Sequence, residues 1–131
     1  MKILGIGVDI IKNKRIKSLI NNKTFIRRTF GKNELKYSKK ISNKTNFFAK
    51  RFAAKEAFAK SLGTGFRDNL NFSDIEILND KIGKPYFFKS KKIDLIISKK
   101  FKIKSYNLFL SISDEKDYSV AFTILQSNND R

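Results

Sequence analysis

Cysteine and histidine are both absent from this chain of 131 residues. Without cysteine there can be no disulfide and no thiolate metal site. Without histidine, the chain lacks the side chain that most often shuttles protons near neutral pH. Any acid–base chemistry therefore has to rely on carboxylates, lysines, tyrosines or water.

Acidic residues are also scarce, with 12 Asp and Glu against 29 Lys and Arg and a formal net charge of +17. Such a charge attracts anionic partners: nucleic acid, a phosphorylated cofactor, an acidic protein or a lipid surface. Charge alone does not choose among them. A bias toward A/T-rich codons, which also encode Asn, Ile and Phe, explains the lysine content equally well.

A long apolar run is missing too. The apolar part of the N-terminal stretch MKILGIGVDIIKNKR is too short for a signal peptide or a membrane span. We therefore expect a cytoplasmic protein that makes no contact with a membrane.

Apolar residues are still plentiful enough for a packed interior, since 40% of the chain is hydrophobic and 13% is aromatic. The length suits one domain. The chain contains no repeat, low-complexity tract or linker. We expect residues 1–131 to form a single domain.

The hydrophobic pattern predicts an α+β fold with a largely antiparallel sheet and packed helices. The N-terminal stretch alternates like a strand that ends at Asp9, and a basic helix follows from about Ile10 to Leu19. A short helix is predicted near Asn33–Lys40. The later predicted segments are a helix over Phe47–Leu62, strands in DIEILND and KPYFFK, a helix over Lys91–Phe101, strands in YNLFLSIS and YSVAFTIL, and a frayed tail QSNNDR.

Small residues mark two surfaces for close approach. Gly5 and Gly7 leave one face of the first strand bare, so that another backbone or a ligand can come close to it. The helix Phe47–Leu62 turns its phenylalanines to the interior. A different sector of this helix combines small and charged residues, and we interpret it as a face against which something bulky lies: Ala49, Ala53, Glu56 and Lys60.

Asp9 and Glu56 each admit two interpretations. Asp9 at a strand end is typical of a helix N-cap, and Glu56 is typical of a surface partner for Lys60 one turn later. Considered together, two carboxylates bind Mg²⁺ incompletely and leave positions for water and for phosphate oxygens, as in phosphoryl-transfer sites.

The tripeptide Gly63-Thr64-Gly65 follows this helix. Glycine just after a helix is the ordinary way to end it. Exposed backbone N–H groups next to the ammonium of Lys60 also suit an oxyanion. The residue order is not that of a P-loop.

Taken in order, these pieces resemble the holo-[acyl carrier protein] synthases, the small phosphopantetheinyl transferases. The segments that carry the resemblance are ILGIGVDI followed by Arg15-Ile16, FFAKRFAAKEAFAKSLGTGF, NDKIGKPYF and SISDEKDYSVAFTIL. The similarity runs from Ile3 to Leu125, and its central block is far more specific than a lone glycine motif.

The resemblance implies Mg²⁺-dependent transfer of 4′-phosphopantetheine from coenzyme A to a serine of apo-acyl carrier protein, in support of fatty acid biosynthesis. Adenosine 3′,5′-bisphosphate is released. It further implies that Asp9 and Glu56 bind the metal, that Glu56 and Lys60 are catalytic, and that Arg15 contacts the acidic carrier protein. The residues implied around the cofactor phosphates are Arg51, Lys60, Gly63, Thr64, Gly65, Lys84 and Pro85.

Family members are similar in forming homotrimers with coenzyme A between subunits, so we expect a homotrimer here. Several relatives carry a histidine where this chain has Phe109 or Asp114. A histidine base is therefore excluded, and we expect Glu56 to receive the serine proton.

Two other functions compete with this interpretation. A basic nucleic-acid-binding module explains the charge, but it gives no reason for Asp9, Glu56 and the Gly-Thr-Gly loop to occur together. Many metal-dependent nucleases carry a Glu-x-Lys motif, in which one residue separates the two charged residues. A metal-dependent nuclease is disfavoured here because three residues separate Glu56 from Lys60. We expect no nucleic-acid partner.

Overall fold

The computed structural model describes residues 1–67 and 69–128. These residues form an α+β fold of antiparallel sheets and packed helices. In chain order the elements are β1 (Lys2–Lys12), α1 (Asn13–Leu19), α2 (Lys23–Thr29), α3 (Lys32–Ser38), α4 (Lys44–Leu62), a short 3₁₀ helix (Phe72–Asp74), β2 (Ile77–Asn79), β3 (Pro85–Phe87), α5 (Lys91–Phe101), β4 (Tyr106–Asp114) and β5 (Tyr118–Ser127).

The main sheet has the strand order β1-β5-β4, and both pairings are antiparallel. β5 lies in the centre and places Phe122 opposite Val8 on one side and opposite Ser111 on the other. The strands β2 and β3 form a separate antiparallel hairpin. The predicted fold class is therefore confirmed.

Helix α4 packs against the sheet with its backbone nearly touching β1. A Cβ atom added to Gly5 would lie 1.7 Å from the carbonyl oxygen of Ser61, and one added to Gly7 would lie 1.8 Å from that of Ala57. Any side chain at these two positions would force the helix away. The predicted close approach to the glycine face is confirmed, and the backbone that approaches it is that of α4.

The interpretation of a small-residue face on α4 that is open to a bulky ligand is wrong. Ala49 and Ala53 are fully buried in the core, together with Ala57. Small side chains there allow the protein to pack closely on itself.

Several segment boundaries differ from those predicted, with α4 for example beginning at Lys44 and not at Phe47, and one helix was not predicted. β1 does not end at Asp9 but continues to Lys12, because its pairing with β5 extends to Tyr118. Helix α1 consequently begins at Asn13. Helix α2 lies in a segment for which the sequence analysis predicts no helix, and the side chain of Asn22 caps it by accepting a hydrogen bond from the N–H of Phe25.

The C-terminal prediction is partly wrong. Gln126 and Ser127, expected in a frayed tail, complete β5 by pairing with β1 and β4. Asn128 of the predicted tail donates its backbone N–H to the carbonyl oxygen of Ser105. Residues 129–131 of that tail lie outside the described residues.

The sheet has an outer face, which points away from α4 and is apolar. It is formed by residues of β1 on the side away from α4 and by the aligned residues of β4 and β5. Its most exposed apolar members, at 41% to 62%, are Ile3, Ile6, Val8, Ile10, Phe109 and Phe122. An apolar surface of this continuity is typical of an interface with another protein.

Candidate active site

Asp9 lies on the face of β1 that is turned to α4, in register with Ala121 of β5. Its carboxylate oxygen Oδ1 is 3.1 Å from the ammonium nitrogen of Lys60, and that ammonium also donates a 2.9 Å hydrogen bond to the carbonyl oxygen of Val8. The side chain of Asp9 is 16% exposed, whereas that of Lys60 is 54% exposed. The site therefore opens to solvent from the lysine side.

The interpretation of Asp9 as a helix N-cap is wrong. Asp9 sits inside β1, and the residue at the N-cap position of α1 is Lys12. The carboxylate of Asp9 is consequently free of a capping role and is held instead by Lys60.

Glu56 lies one turn before Lys60 on the same face of α4 and is half-buried. Burial raises the pKa of its carboxyl group, and the negative charge of Asp9 raises it further. The positive charges of Lys60 and Arg15 act in the opposite direction on the same pKa. Four charged side chains from β1, α1 and α4 thus interact at one place.

The two carboxylates suit a hard divalent cation. Asp9 raises the pKa of Glu56 because two negative charges near each other are unfavourable, and a cation between them would remove that cost. Among residues 1–67 and 69–128, no group of three or more acidic, histidine or cysteine side chains is placed to hold a metal. Mg²⁺ fits such a sparse site because it commonly binds through one or two carboxylates plus water and phosphate oxygens.

The Gly63-Thr64-Gly65 loop follows directly at the end of α4. Gly63 adopts the left-handed conformation, with φ of 82°, and its N–H caps the helix by bonding to the carbonyl oxygen of Lys60. Gly65 also has a positive φ, of 69°. No described atom lies within 4 Å of the position of a Cβ on either glycine. The loop ends the helix, as predicted, and its surface beside Lys60 is open.

Arg51, Lys84 and Pro85 form a second group. The guanidinium of Arg51 is buried, and it donates hydrogen bonds to the carbonyl oxygen of Ile77 and, at 2.6 Å, to the side chain of Asn79. Asn79 pairs with Pro85 across the β2–β3 hairpin, while Lys84 is exposed in the turn before it. Arg51 therefore supports the hairpin that carries the other two residues.

These two groups lie on opposite sides of α4. Lys60 follows Arg51 by nine positions, which in an α-helix corresponds to a rotation of about 180° and a distance of about 13 Å along the axis. One chain consequently does not bring Arg51 and Lys60 to one phosphate. The expected direct contact of Arg51 with the cofactor stays a prediction.

Sequence reasoning missed a buried polar network behind the site. It joins Glu34 of α3 to Lys55 of α4, the residue just before Glu56, and also includes Glu76. The side chains of Glu34 and Lys55 are both 0% exposed. No local signal in the sequence marks this network, because Glu34, Lys55 and Glu76 come from separate segments that only the fold brings together.

Comparison with known proteins agrees with this geometry. The sequence profile of the 4′-phosphopantetheinyl transferase superfamily matches residues 5–123. A protein of Pelagibacter ubique (strain HTCC1062) described as holo-[acyl-carrier-protein] synthase is 61% identical over 126 residues, which cover 96% of this chain and 98% of that protein.

Solved structures show the same agreement. The crystal structure of the holo-[acyl-carrier-protein] synthase of Neisseria meningitidis is 38% identical with a TM-score of 0.85, over 95% of this chain and 99% of that one. The corresponding enzyme of Bacillus anthracis, in complex with CoA (3′,5′-ADP), is 36% identical with a TM-score of 0.81, over 98% of this chain and 100% of that one.

The chain therefore belongs to the 4′-phosphopantetheinyl transferase superfamily. Within that superfamily it falls among the holo-[acyl-carrier-protein] synthases, and it is an enzyme that transfers 4′-phosphopantetheine from coenzyme A to a serine of apo-acyl carrier protein. The family, the fold and the reaction predicted from the sequence are confirmed. This membership favours the transferase over both competing functions.

Proposed function

We propose that residues 1–131, as one domain, carry out this transfer with Asp9 and Glu56 as the protein ligands of Mg²⁺. The observation that carries the proposal is the convergence of Asp9, Glu56 and Lys60 from β1 and α4, with the pKa of Glu56 raised by burial and by Asp9. A bound Mg²⁺ would supply positive charge to the phosphate oxygens that become more negative as the pyrophosphate breaks.

Residues of the protein accept the serine proton and stabilise the leaving phosphate group. The serine oxygen forms a bond to the phosphorus that carries pantetheine, and the bond from that phosphorus to the bridging oxygen breaks. Glu56 accepts the serine proton. Lys60, held in place by the carbonyl oxygen of Val8, stabilises the leaving bisphosphate.

The carrier protein docks on α1. Arg15 is exposed on this helix and lies near enough to Glu56 to affect its pKa. At the end of α1, a cavity of about 470 Å³ is lined by Leu19, Phe25, Phe52 and Phe72 among others. An acidic partner would meet the positive charge of α1, which steers association, while its apolar side chains enter the cavity.

Coenzyme A binds where two subunits meet. Lys60 and the loop Gly63-Thr64-Gly65 of one subunit contact its phosphates, and Lys84 and Pro85 of the neighbouring subunit, supported by Arg51, complete the cleft. This arrangement is supported by the positions of Lys60 and Arg51 on opposite sides of α4, because a single subunit does not bring both sides of the helix to one cofactor. The apolar outer face of the sheet supports a homotrimer, because it provides the surface that subunits would bury.

We place the enzyme in the cytoplasm and in fatty acid biosynthesis, where its two substrates would meet. Within residues 1–67 and 69–128, none of the helices has the length and apolar character required to cross a membrane.

The experiment is a mass measurement on apo-acyl carrier protein incubated with the enzyme, coenzyme A and Mg²⁺. The wild type should add one phosphopantetheine, and Glu56→Gln should lower kcat by at least roughly 100-fold while the protein stays folded. The matched control is Asp117→Asn, which neutralises an exposed carboxylate in the β4–β5 turn and should keep wild-type turnover. Undiminished transfer by Glu56→Gln would exclude the proposed role of Glu56.

A further inference from the structure

Behind the site, α4 is joined to the rest of the protein by an ion pair that is completely buried. The ammonium nitrogen of Lys55 lies 2.6 Å from Oε1 of Glu34, and neither side chain is exposed. The same ammonium donates to the carbonyl oxygens of Phe72, at 3.1 Å, and Ile75. An ammonium group has three donors, so every donor of Lys55 is directed at an acceptor.

Glu34 is held just as completely. Its Oε1 accepts a 3.0 Å hydrogen bond from the N–H of Gly31, and its Oε2 accepts one of 3.0 Å from the N–H of Ile77. Glu76 in turn caps the start of α3, since its carboxylate accepts from the N–H groups of Asn33 and Glu34. The network therefore ties one point on α4 to α3, to the 3₁₀ segment and to β2.

On the side of α4 that faces β1, Lys60 bonds to Asp9 and to the carbonyl oxygen of Val8, but the side chain of Lys60 is 54% exposed. There the helix rests on Gly5 and Gly7 of β1, and a contact of backbone on bare backbone has no side chain that fits into a groove. Such a contact fixes how close the helix comes but resists rotation and sliding only weakly. Hydrogen bonds are directional, so the buried bonds of Lys55, together with those of Arg51 to Ile77 and Asn79, are able to fix the rotation of α4.

Rotation of α4 decides where Glu56 points. Lys55 and Glu56 are consecutive, so their side chains are about 100° apart around the helix, and fixing one fixes the other. A buried ion pair is weak evidence for stability, because apolar residues of similar volume often replace it without loss. A role in setting one arrangement of α4 accounts for the buried pair better than stability does.

We propose that the buried Glu34–Lys55 ion pair is a positioning device that sets the rotation of α4 and so aims the carboxylate of Glu56 at Asp9. The proposal rests on the function proposed above for Glu56. Neither Glu34 nor Lys55 touches the substrates; both act through the helix.

The test is the double variant Glu34→Gln with Lys55→Met, which removes both charges and keeps the side-chain volumes similar. Mn²⁺, as a probe of the divalent cation site, is titrated in the presence of coenzyme A and followed by electron paramagnetic resonance. We expect Mn²⁺ to bind roughly tenfold or more weakly at full stoichiometry, as for other residues that orient ligands from behind. We expect kcat to fall with it, while KM for the carrier protein, which docks on α1, is unchanged.

Affinity separates misplacement from unfolding. An irreversibly unfolded fraction would lower the number of Mn²⁺ ions bound, whereas a reversibly unfolded fraction would weaken the apparent affinity only in proportion to the folded fraction, which circular dichroism measures. A tenfold loss of affinity in a variant that is more than about 90% folded therefore reports misplacement. The matched control is Ile97→Val, a fully buried position on α5, which should lower the melting temperature without changing Mn²⁺ affinity or kcat. A folded double variant with wild-type Mn²⁺ affinity would overturn the proposal.

If the double variant does not fold, the single variant Glu34→Gln decides by the same measurements. If that variant is unfolded as well, the pair is a requirement of folding and the proposal is overturned. The outcome for Glu56→Gln is independent of both: wild-type kcat in that variant would refute the function proposed for Glu56, whatever the Glu34 and Lys55 variants show.

Discussion

At the scale of single residues, Glu56 holds a carboxyl group where its charged form is unfavourable. Burial is the larger cause of its raised pKa and the charge of Asp9 is the second. Active sites commonly contain such residues, because the property that makes a group reactive also makes it costly to the fold. The position of Glu56 should therefore reduce stability at the pH where the enzyme works.

Glu56→Gln should be more stable than the wild type at pH 7 without added metal. A carboxyl whose pKa is raised in the folded state destabilises the fold above that pKa, and this cost disappears below the ordinary value of 4.5. Glutamine carries no charge, so its advantage should shrink as the pH falls toward 4.5. Thermal unfolding followed by circular dichroism at several pH values measures this. A wild type as stable as the variant at pH 7 would contradict the prediction.

At the scale of secondary-structure elements, the contact between α4 and β1 decides the geometry of the site. Glu56 and Lys60 come from α4 and Asp9 from β1, so the separation of the two elements sets the separation of the charges. Gly7 makes that separation small, because its missing side chain leaves room for the carbonyl group of Ala57. The glycine therefore acts on the site without being part of it.

Gly7→Ala should destabilise the protein by about 2 kcal/mol or more, because the added methyl group overlaps the backbone of α4. Urea unfolding gives the change in the free energy of unfolding. Lys2→Ala is the control, since Lys2 is exposed at the start of the same strand, and it should unfold at nearly the wild-type urea concentration. Equal midpoints for Gly7→Ala and the wild type would show that α4 can move without cost.

At the scale of the whole molecule, the outer face of the sheet and the two separated groups on α4 lead to the same conclusion. The apolar residues of that face are too exposed to serve the core of one chain. Arg51 and Lys60 cannot line one cleft in a single chain. Assembly of subunits would bury the apolar outer face and would complete the coenzyme A cleft. We therefore expect the transfer activity to depend on assembly.

Phe122→Asp should dissociate the expected homotrimer into folded monomers and abolish transfer, because it places a charge on the outer face opposite Val8. Light scattering coupled to size-exclusion chromatography measures the assembly. The control is Leu95→Asp, which adds the same charge at a residue of α5 that is 68% exposed and should leave assembly and transfer intact. Transfer by a monomeric Phe122→Asp would refute a site between subunits.

Local sequence patterns were sufficient for much of the fold. Helix α5 begins and ends where predicted, at Lys91 and Phe101, because apolar spacing and the Ser90 cap agree there. The predicted strand β1 ends at Asp9 because apolar and polar residues do not alternate after it. Only the pairing of its last residues with β5 reveals that the strand continues to Lys12. Helix α2 was missed for a related reason: its apolar residues are few, and it is held by packing, as in the contact of Phe25 with Phe52.

By itself, the sequence determined the class of fold, the family and the pair of carboxylates, because hydrophobic periodicity and residue type are local properties that can be read along the chain. Only the tertiary structure decided that Lys60 bonds to Asp9, that Arg51 faces away from both, and that Lys55 lies buried against Glu34. Those outcomes depend on which elements pack together and in what rotation. Contacts between residues far apart in the chain set that rotation, and no local pattern contains them.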